Sequence, residues 1–100
     1  MASKLYILLK SPHEFTGIKL MQNLTGTDKA GVILFEDAVY YAVDKKRGKE
    51  LTDAVKDVYV ISDDLAARGF EGKAAPGFKV VDYPTAVDLI MEQFDQTITL

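Results

Sequence analysis

The 100-residue chain contains no cysteine. That excludes disulfides, thiolate-held metals, persulfides and cysteine nucleophiles as chemistry of its own. No apolar stretch approaches the ~20 residues a membrane-spanning helix requires. The run Leu5 to Leu9 is short and has no small-residue cleavage site after it, so no secretory signal is read there and a cytoplasmic location is expected. Positive charge is not in surplus either: 12 Lys and Arg face 15 Asp and Glu, for a net charge of −3. A nucleic-acid binder usually displays a basic face, and no direct nucleic-acid contact is expected here. The densest basic run, Lys45-Lys46-Arg47 with Lys49, lies between Asp44 and Glu50 and reads as a solvated loop.

What the chain does have is apolar content. At 48% hydrophobic and 27% charged residues it can build a core, and residues 1–100 are read as a single domain. Four short apolar runs stand out: Leu5–Leu9, Val32–Phe35, Val58–Ile61 and Lys79–Val81. None alternates polar with apolar, which marks strands covered on both faces, as in a parallel sheet. Between and after them the spacing turns helical. Ile18, Met21 and Leu24 share one face of a segment from Phe15 to Thr25, with Gly26 as its C-cap. Ser62 reads as the N-cap of a short helix with Asp63 and Asp64 in its first turn and Gly69 at its end. Val87, Ile90, Met91 and Phe94 give the clearest helical spacing, with Pro84 suited to the first turn.

The segment Ala38–Val43 has strand-like composition but follows a strand with no turn residues between. Parallel strands need a crossover, so it is read as a short buried helix opened by Asp37. Residues 44–50 then form a charged loop, Leu51, Ala54 and Val55 a further helical turn, and residues 71–77 an irregular connection. Gln96 to Leu100 reads as a short edge segment or a frayed end. The expected fold is α/β, a three-layer α/β/α domain with a mainly parallel sheet of four to five strands.

Each apolar strand ends in polar residues, and open α/β sheets bind ligands and partners beyond those ends. Glu36, Asp37, Asp63, Asp64 and Asp82 all fall there. They could hold a hard divalent cation, or they could cap helices, where an acid is worth ~0.3–1 kcal/mol. A phospho-acceptor domain needs an acidic pair after the first strand, where this chain has Lys10-Ser11. A flavin domain needs a glycine-rich phosphate loop there, and Ser11-Pro12-His13-Glu14-Phe15 lacks the glycines. His13, the single histidine, reads as a surface-loop residue, with a general-base role beside Glu14 as the alternative. Arg68 either pairs with Asp64 one turn back or faces a partner. Tyr40, Tyr41, Phe70 and Phe78 exceed the aromatic surface so small a domain needs, which suggests an interaction patch.

Taken in order, these segments resemble the TusB/DsrH family. The opening Lys4–Pro12 is similar to its first strand and Ser-Pro turn. Val32–Tyr40 is similar to its second strand and acidic-Asp-Gly-Val motif, with Ala38 in place of the usual glycine. Val58–Phe70 carries the most recognisable run, Asp64-Leu65-Ala66-Ala67-Arg68-Gly69, and Val80–Tyr83 with Val87–Leu89 match the last strand and helix. The tryptophan many relatives show near the C-terminus is missing. The resemblance implies one subunit of a heterohexamer of three related chains, relaying persulfide sulfur toward tRNA wobble-uridine 2-thiolation or serving dissimilatory sulfur metabolism. The sulfur-carrying cysteine belongs to a TusD/DsrE-like partner, and TusC/DsrF-like chains complete the assembly. This chain is then a non-catalytic subunit with no cofactor, and its expected partner contacts are Asp37, Tyr40, Asp64, Arg68 and Phe70. The competing reading is a stand-alone homo-oligomeric module that binds a small ligand or a metal through the acidic strand ends.

Overall fold

Five strands form one sheet in the order β4-β3-β2-β1-β5, every pair parallel. They are β1 (Ser3–Leu8), β2 (Lys29–Leu34), β3 (Asp57–Ile61), β4 (Phe78–Val81) and β5 (Gln96–Thr99). The structure is a computed structural model and describes residues 3–14, 17–26 and 28–100. Parallel neighbours need crossovers, supplied by α1 (Ile18–Thr25), a 3₁₀ segment (Glu36–Ala42) leading into α2 (Lys45–Ala54), α3 (Ser62–Ala67), and α4 (Tyr83–Asp88) with a π-helical extension (Leu89–Gln93). Among the described residues no helix is long and apolar enough to cross a membrane.

Side-chain alternation along the strands divides the core in two. Tyr6, Leu8, Val32, Leu34, Val58 and Val60 point to the face that packs on Met21 of α1, Ala38, Val39, Tyr41 and Ala42 of the 3₁₀ segment, Leu51 of α2 and Leu65 of α3. Leu5, Ile33 and Ile61 point to the other, where Ala86 of α4 packs with Leu89, Ile90 and Phe94. The handedness rule accounts for this division. Right-handed crossovers place helices on one face while the chain steps from β1 to β4, and on the opposite face when it returns from β4 to β5. The expected three layers are therefore present, but one outer layer is a single helix.

Several expectations need correction. Residues 44–50 are not a loop: α2 starts at Lys45, with Asp44 as N-cap accepting the Arg47 amide at 3.0 Å. Ion pairs follow along the helix, Arg47–Glu50 at 3.8 Å and Lys49–Asp53 at 3.0 Å. Its apolar stripe was hidden because a glycine occupies a contact position. Gly48 is buried against the Tyr41 main-chain oxygen and the Phe78 ring, where a larger residue would not fit. Ser62 does not cap α3. Strand β3 runs straight into that helix, so Ile61 occupies the N-cap position without a side-chain bond. The Arg68 side chain does not reach the Asp64 carboxylate either; it bonds elsewhere, as described below.

The last helix departs furthest from its pattern. Ile90 and Phe94 pack inward, but Val87 is 54% exposed and Met91 75%. The inward face is instead Ala86, Leu89, Ile90 and Phe94, because the helix widens to π geometry at Leu89 and shifts which residues meet the sheet. β4 is not covered on both faces: it is an edge strand, and Val80 is 52% exposed. Ile18–Thr25 supports the first helix, ended by Gly26 at φ 58°; Phe15 and Thr16, its expected beginning, lie outside the described residues. Only Met21 of its expected face is fully buried, since Leu24 is 44% exposed. Gln96 to Thr99 is ordered as edge strand β5 beside β1.

Gly48→Ala separates sterics from propensity. Helix propensity alone predicts stabilisation by about 1 kcal/mol. Overlap with the Tyr41 carbonyl predicts the opposite sign, a loss of about 1–3 kcal/mol in urea unfolding.

Candidate functional site

The C-terminal ends of β2, β3 and β4 come together at one rim of the sheet. The chain leaves β2 through Glu36, the one non-glycine residue at positive φ (51°) among those described. That left-handed conformation costs a residue with a Cβ of order 1 kcal/mol or more and needs support from its surroundings. Support comes from α3: the Asp64 Oδ2 accepts the Glu36 amide at 2.7 Å. The other carboxylate oxygen of Asp64 accepts the Tyr83 hydroxyl at 2.8 Å. One side chain thus joins the β2 exit, the start of α3 and the start of α4.

Tyr83 is held from a second direction, its ring stacked on Phe35 at 6.1 Å between centroids. Its hydroxyl is pushed above the usual phenol range, first by the hydrogen bond to Asp64, then by desolvation and the negative charges of Asp64, Asp63 and Glu36. Asp82 caps α4 by accepting the Thr85 amide at 2.9 Å. The hydrogen bonds from Thr85 hold its carboxyl below the usual range.

Arg68, at the end of α3, reaches back over the 3₁₀ segment. Its Nη2 and Nε donate to Asp37 Oδ1 at 2.9 and 3.2 Å, and its Nη1 donates to the Asp64 main-chain oxygen at 3.3 Å. Next to this pair, the Tyr40 and Phe70 rings meet edge-on at 5.2 Å. All five residues expected at a partner surface are therefore gathered on the 3₁₀ segment, α3 and the turn after it, as the pairs Arg68–Asp37 and Tyr40–Phe70 with Asp64 bonded to Arg68 through its main-chain oxygen. Tyr40 is 39% exposed, and Asp37 is exposed as well. The surface is aromatic and charged, and its side chains are fixed by one another before any partner arrives.

The remaining candidates fall elsewhere. Tyr41 is a core residue, 1% exposed, and burial pushes its phenol up to about 12. Phe78 is partly buried against the main core. His13 is exposed and makes no side-chain hydrogen bond among the described residues. It borders an open cavity of about 370 Å³ whose walls include Tyr41 and Arg47. The acids at the strand ends hold separate partners: Asp37 an arginine, Asp64 an amide and a hydroxyl, Asp82 a helix end. Among the described residues, no three acids or histidines converge as a metal would require. Ala38, in place of the glycine expected from the resemblance, is buried inside the 3₁₀ segment and is not at positive φ, so that position does not require glycine. Sequence reasoning placed Tyr83 at a strand end without foreseeing its bond to Asp64, and it missed Phe35 as part of the site. The Asp82-Tyr83-Pro84 junction marked a helix start but carried no sign that the ring would cross to α3.

Comparison with known proteins bears on the family and the fold. The family described as DsrH like protein matches residues 10–96. The chain belongs to the DsrH family. It is 30% identical over 94 residues to Protein TusB of Buchnera aphidicola subsp. Baizongia pistaciae (strain Bp), spanning 92% of this chain and 96% of that protein. Its fold is similar to the crystal structure of the ychN protein from E. coli, with a TM-score of 0.80 over the full length of both chains at 14% identity. In this DsrH-family chain the run Asp64–Gly69, the most recognisable in sequence, is the one that builds the rim.

A double-mutant cycle tests the Asp64 bridge. Asp64→Ala and Tyr83→Phe are expected to couple by about 0.5–1 kcal/mol in urea unfolding, a modest value because Tyr83 is 40% exposed. Strict additivity would show that the hydroxyl contact does not contribute in solution.

Proposed function

We propose that this chain is a non-catalytic subunit of a TusBCD/DsrEFH-type sulfur-relay complex, working in the cytoplasm. It docks TusC/DsrF-like and TusD/DsrE-like chains and supports persulfide transfer on a cysteine that one of them supplies. The observation that carries this reading is a DsrH-family match over residues 10–96 of a chain with no cysteine. A persulfide needs a thiol to form on, and relay through this chain has no atom to pass through. What remains is shape. The relative named Protein TusB supports placing the chain on the tRNA-thiolation side, toward wobble 2-thiouridine, with dissimilatory sulfur metabolism as the other service such a complex performs.

The rim of Asp37, Tyr40, Asp64, Arg68 and Phe70 is the surface this reading uses. Arginine and tyrosine are enriched where truncation costs binding most, and fixed side chains lose less entropy on docking. The Arg68–Asp37 pair orients the guanidinium, and Phe70 backs the Tyr40 ring. The stand-alone homo-oligomeric module remains the contrasting outcome of the experiment below.

Native mass measurement of the purified chain, alone and mixed with TusC- and TusD-type chains of the same organism, is expected to show a mixed assembly. Arg68→Ala is expected to weaken that assembly by about tenfold while the thermal transition moves little, since an ion pair with one exposed partner is worth only ~0.2–1 kcal/mol to the fold. A chain that forms only homo-oligomers or stays monomeric beside those partners contradicts the subunit reading.

A further inference from the structure

The single helix on the second face of the sheet presents an apolar stripe outward. Tyr83, Val87 and Met91 are 40%, 54% and 75% exposed, four residues apart in sequence. Such a spacing drifts around an α-helix. Here Met91 lies in the π-helical extension, whose wider turn opposes the drift and keeps the three side chains near one line. The π turn ends the helix, and Phe94 beyond it is extended, so among the described residues the exposed apolar residues of α4 and its extension are not packed beneath any further helix.

The charge around the stripe has one sign. From Val81 to Leu100 the chain has four acids, Asp82, Asp88, Glu92 and Asp95, and no Lys or Arg. The whole chain is only −3, so its acidic excess is concentrated in this segment. Asp88 and Glu92 are exposed beside the stripe and form no salt bridge among the described residues. At its N-terminal end Asp63, Asp64 and Glu36 surround Tyr83. Lys79, on this side of the sheet, already pairs with Asp57 at 2.9 Å.

We propose that the α4 stripe is a docking face for a different protein chain, one presenting apolar side chains ringed by Lys and Arg. A second copy in the same orientation would set acidic rim against acidic rim, which costs several kcal/mol and argues against self-pairing here. An apolar centre with a complementary charged rim is the ordinary anatomy of a protein interface. Tyr83 also links this face to the Asp64 rim, so a partner covering both would meet one continuous surface. The proposal rests on the subunit reading given above and adds a second contact face with a stated charge for the partner.

The test is titration of the full chain with the TusC-type and TusD-type chains of the same organism, separately and together, comparing wild type, V87D/M91D and D88K/E92K. All substituted positions are exposed, and circular dichroism checks that each variant is folded. V87D/M91D is expected to weaken binding of one partner by about tenfold or more, and D88K/E92K to weaken it in a salt-dependent way. If wild type binds and both folded variants bind as tightly, the docking face is wrong while the subunit reading stands. If wild type binds neither partner, both fall. If wild type self-associates and V87D/M91D abolishes that, the occupant is a second copy and the proposed basic partner is overturned.

Discussion

The Asp64 carboxylate is the contact on which the functional end of this molecule depends. The chain must turn sharply out of β2, and it does so through a residue in a left-handed conformation, Glu36. An orphaned amide at that turn would add to the strain. Asp64 accepts it from the first turn of α3, and with its second oxygen takes the Tyr83 hydroxyl. Because Asp64 fixes α3 relative to the 3₁₀ segment, Arg68 at the other end of α3 arrives over Asp37, and Phe70 arrives against Tyr40. Removing the carboxylate would leave the two pairs without a common anchor.

The sheet itself is less demanding. Its main core is built from apolar side chains and two buried tyrosines, of which Tyr6 places its hydroxyl within hydrogen-bond distance of the Met21 main-chain oxygen at 3.2 Å and of Thr25 Oγ1 at 2.6 Å. The asymmetry of its two faces follows from chain direction. Three crossovers step one way across the sheet and one returns, so one face receives α1 to α3 with the 3₁₀ segment and the other receives α4 with its π extension. That lone outer layer is short, carries exposed apolar residues and is acidic, which makes it the less finished side of the molecule.

The strands, their parallel direction and the burial of Ala38, Val39, Tyr41 and Ala42 were legible because unbroken apolar runs without intervening turns leave few alternatives. The helix at residues 45–54 was not legible. Its contact position is a glycine, and glycine is silent in an apolar pattern even when, as with Gly48, it is chosen for close packing. The face of the last helix was misjudged because periodicity assumes one helix type, and the π turn at Leu89 changes the period midway. The five residues proposed for a partner surface were named from sequence, but their pairing could not be. Asp37 and Arg68 are far apart along the chain, and nothing local indicates that one will bond the other in preference to Asp64. The motifs that resemble the family marked the segment around Asp64 without showing that Asp64 serves as a bridge.

On the proposed reading, a cysteine-free chain of the DsrH family acts through what it holds in place. The most direct test is the affinity of folded Asp64→Ala protein for the proposed TusC- and TusD-type partners, set beside wild type at a temperature where both give the same far-ultraviolet circular dichroism. The structure predicts markedly weaker association, because the Arg68–Asp37 and Tyr40–Phe70 pairs lose their shared anchor while the sheet remains intact. Undiminished association by the folded variant would contradict the claim that this bridge builds the partner surface.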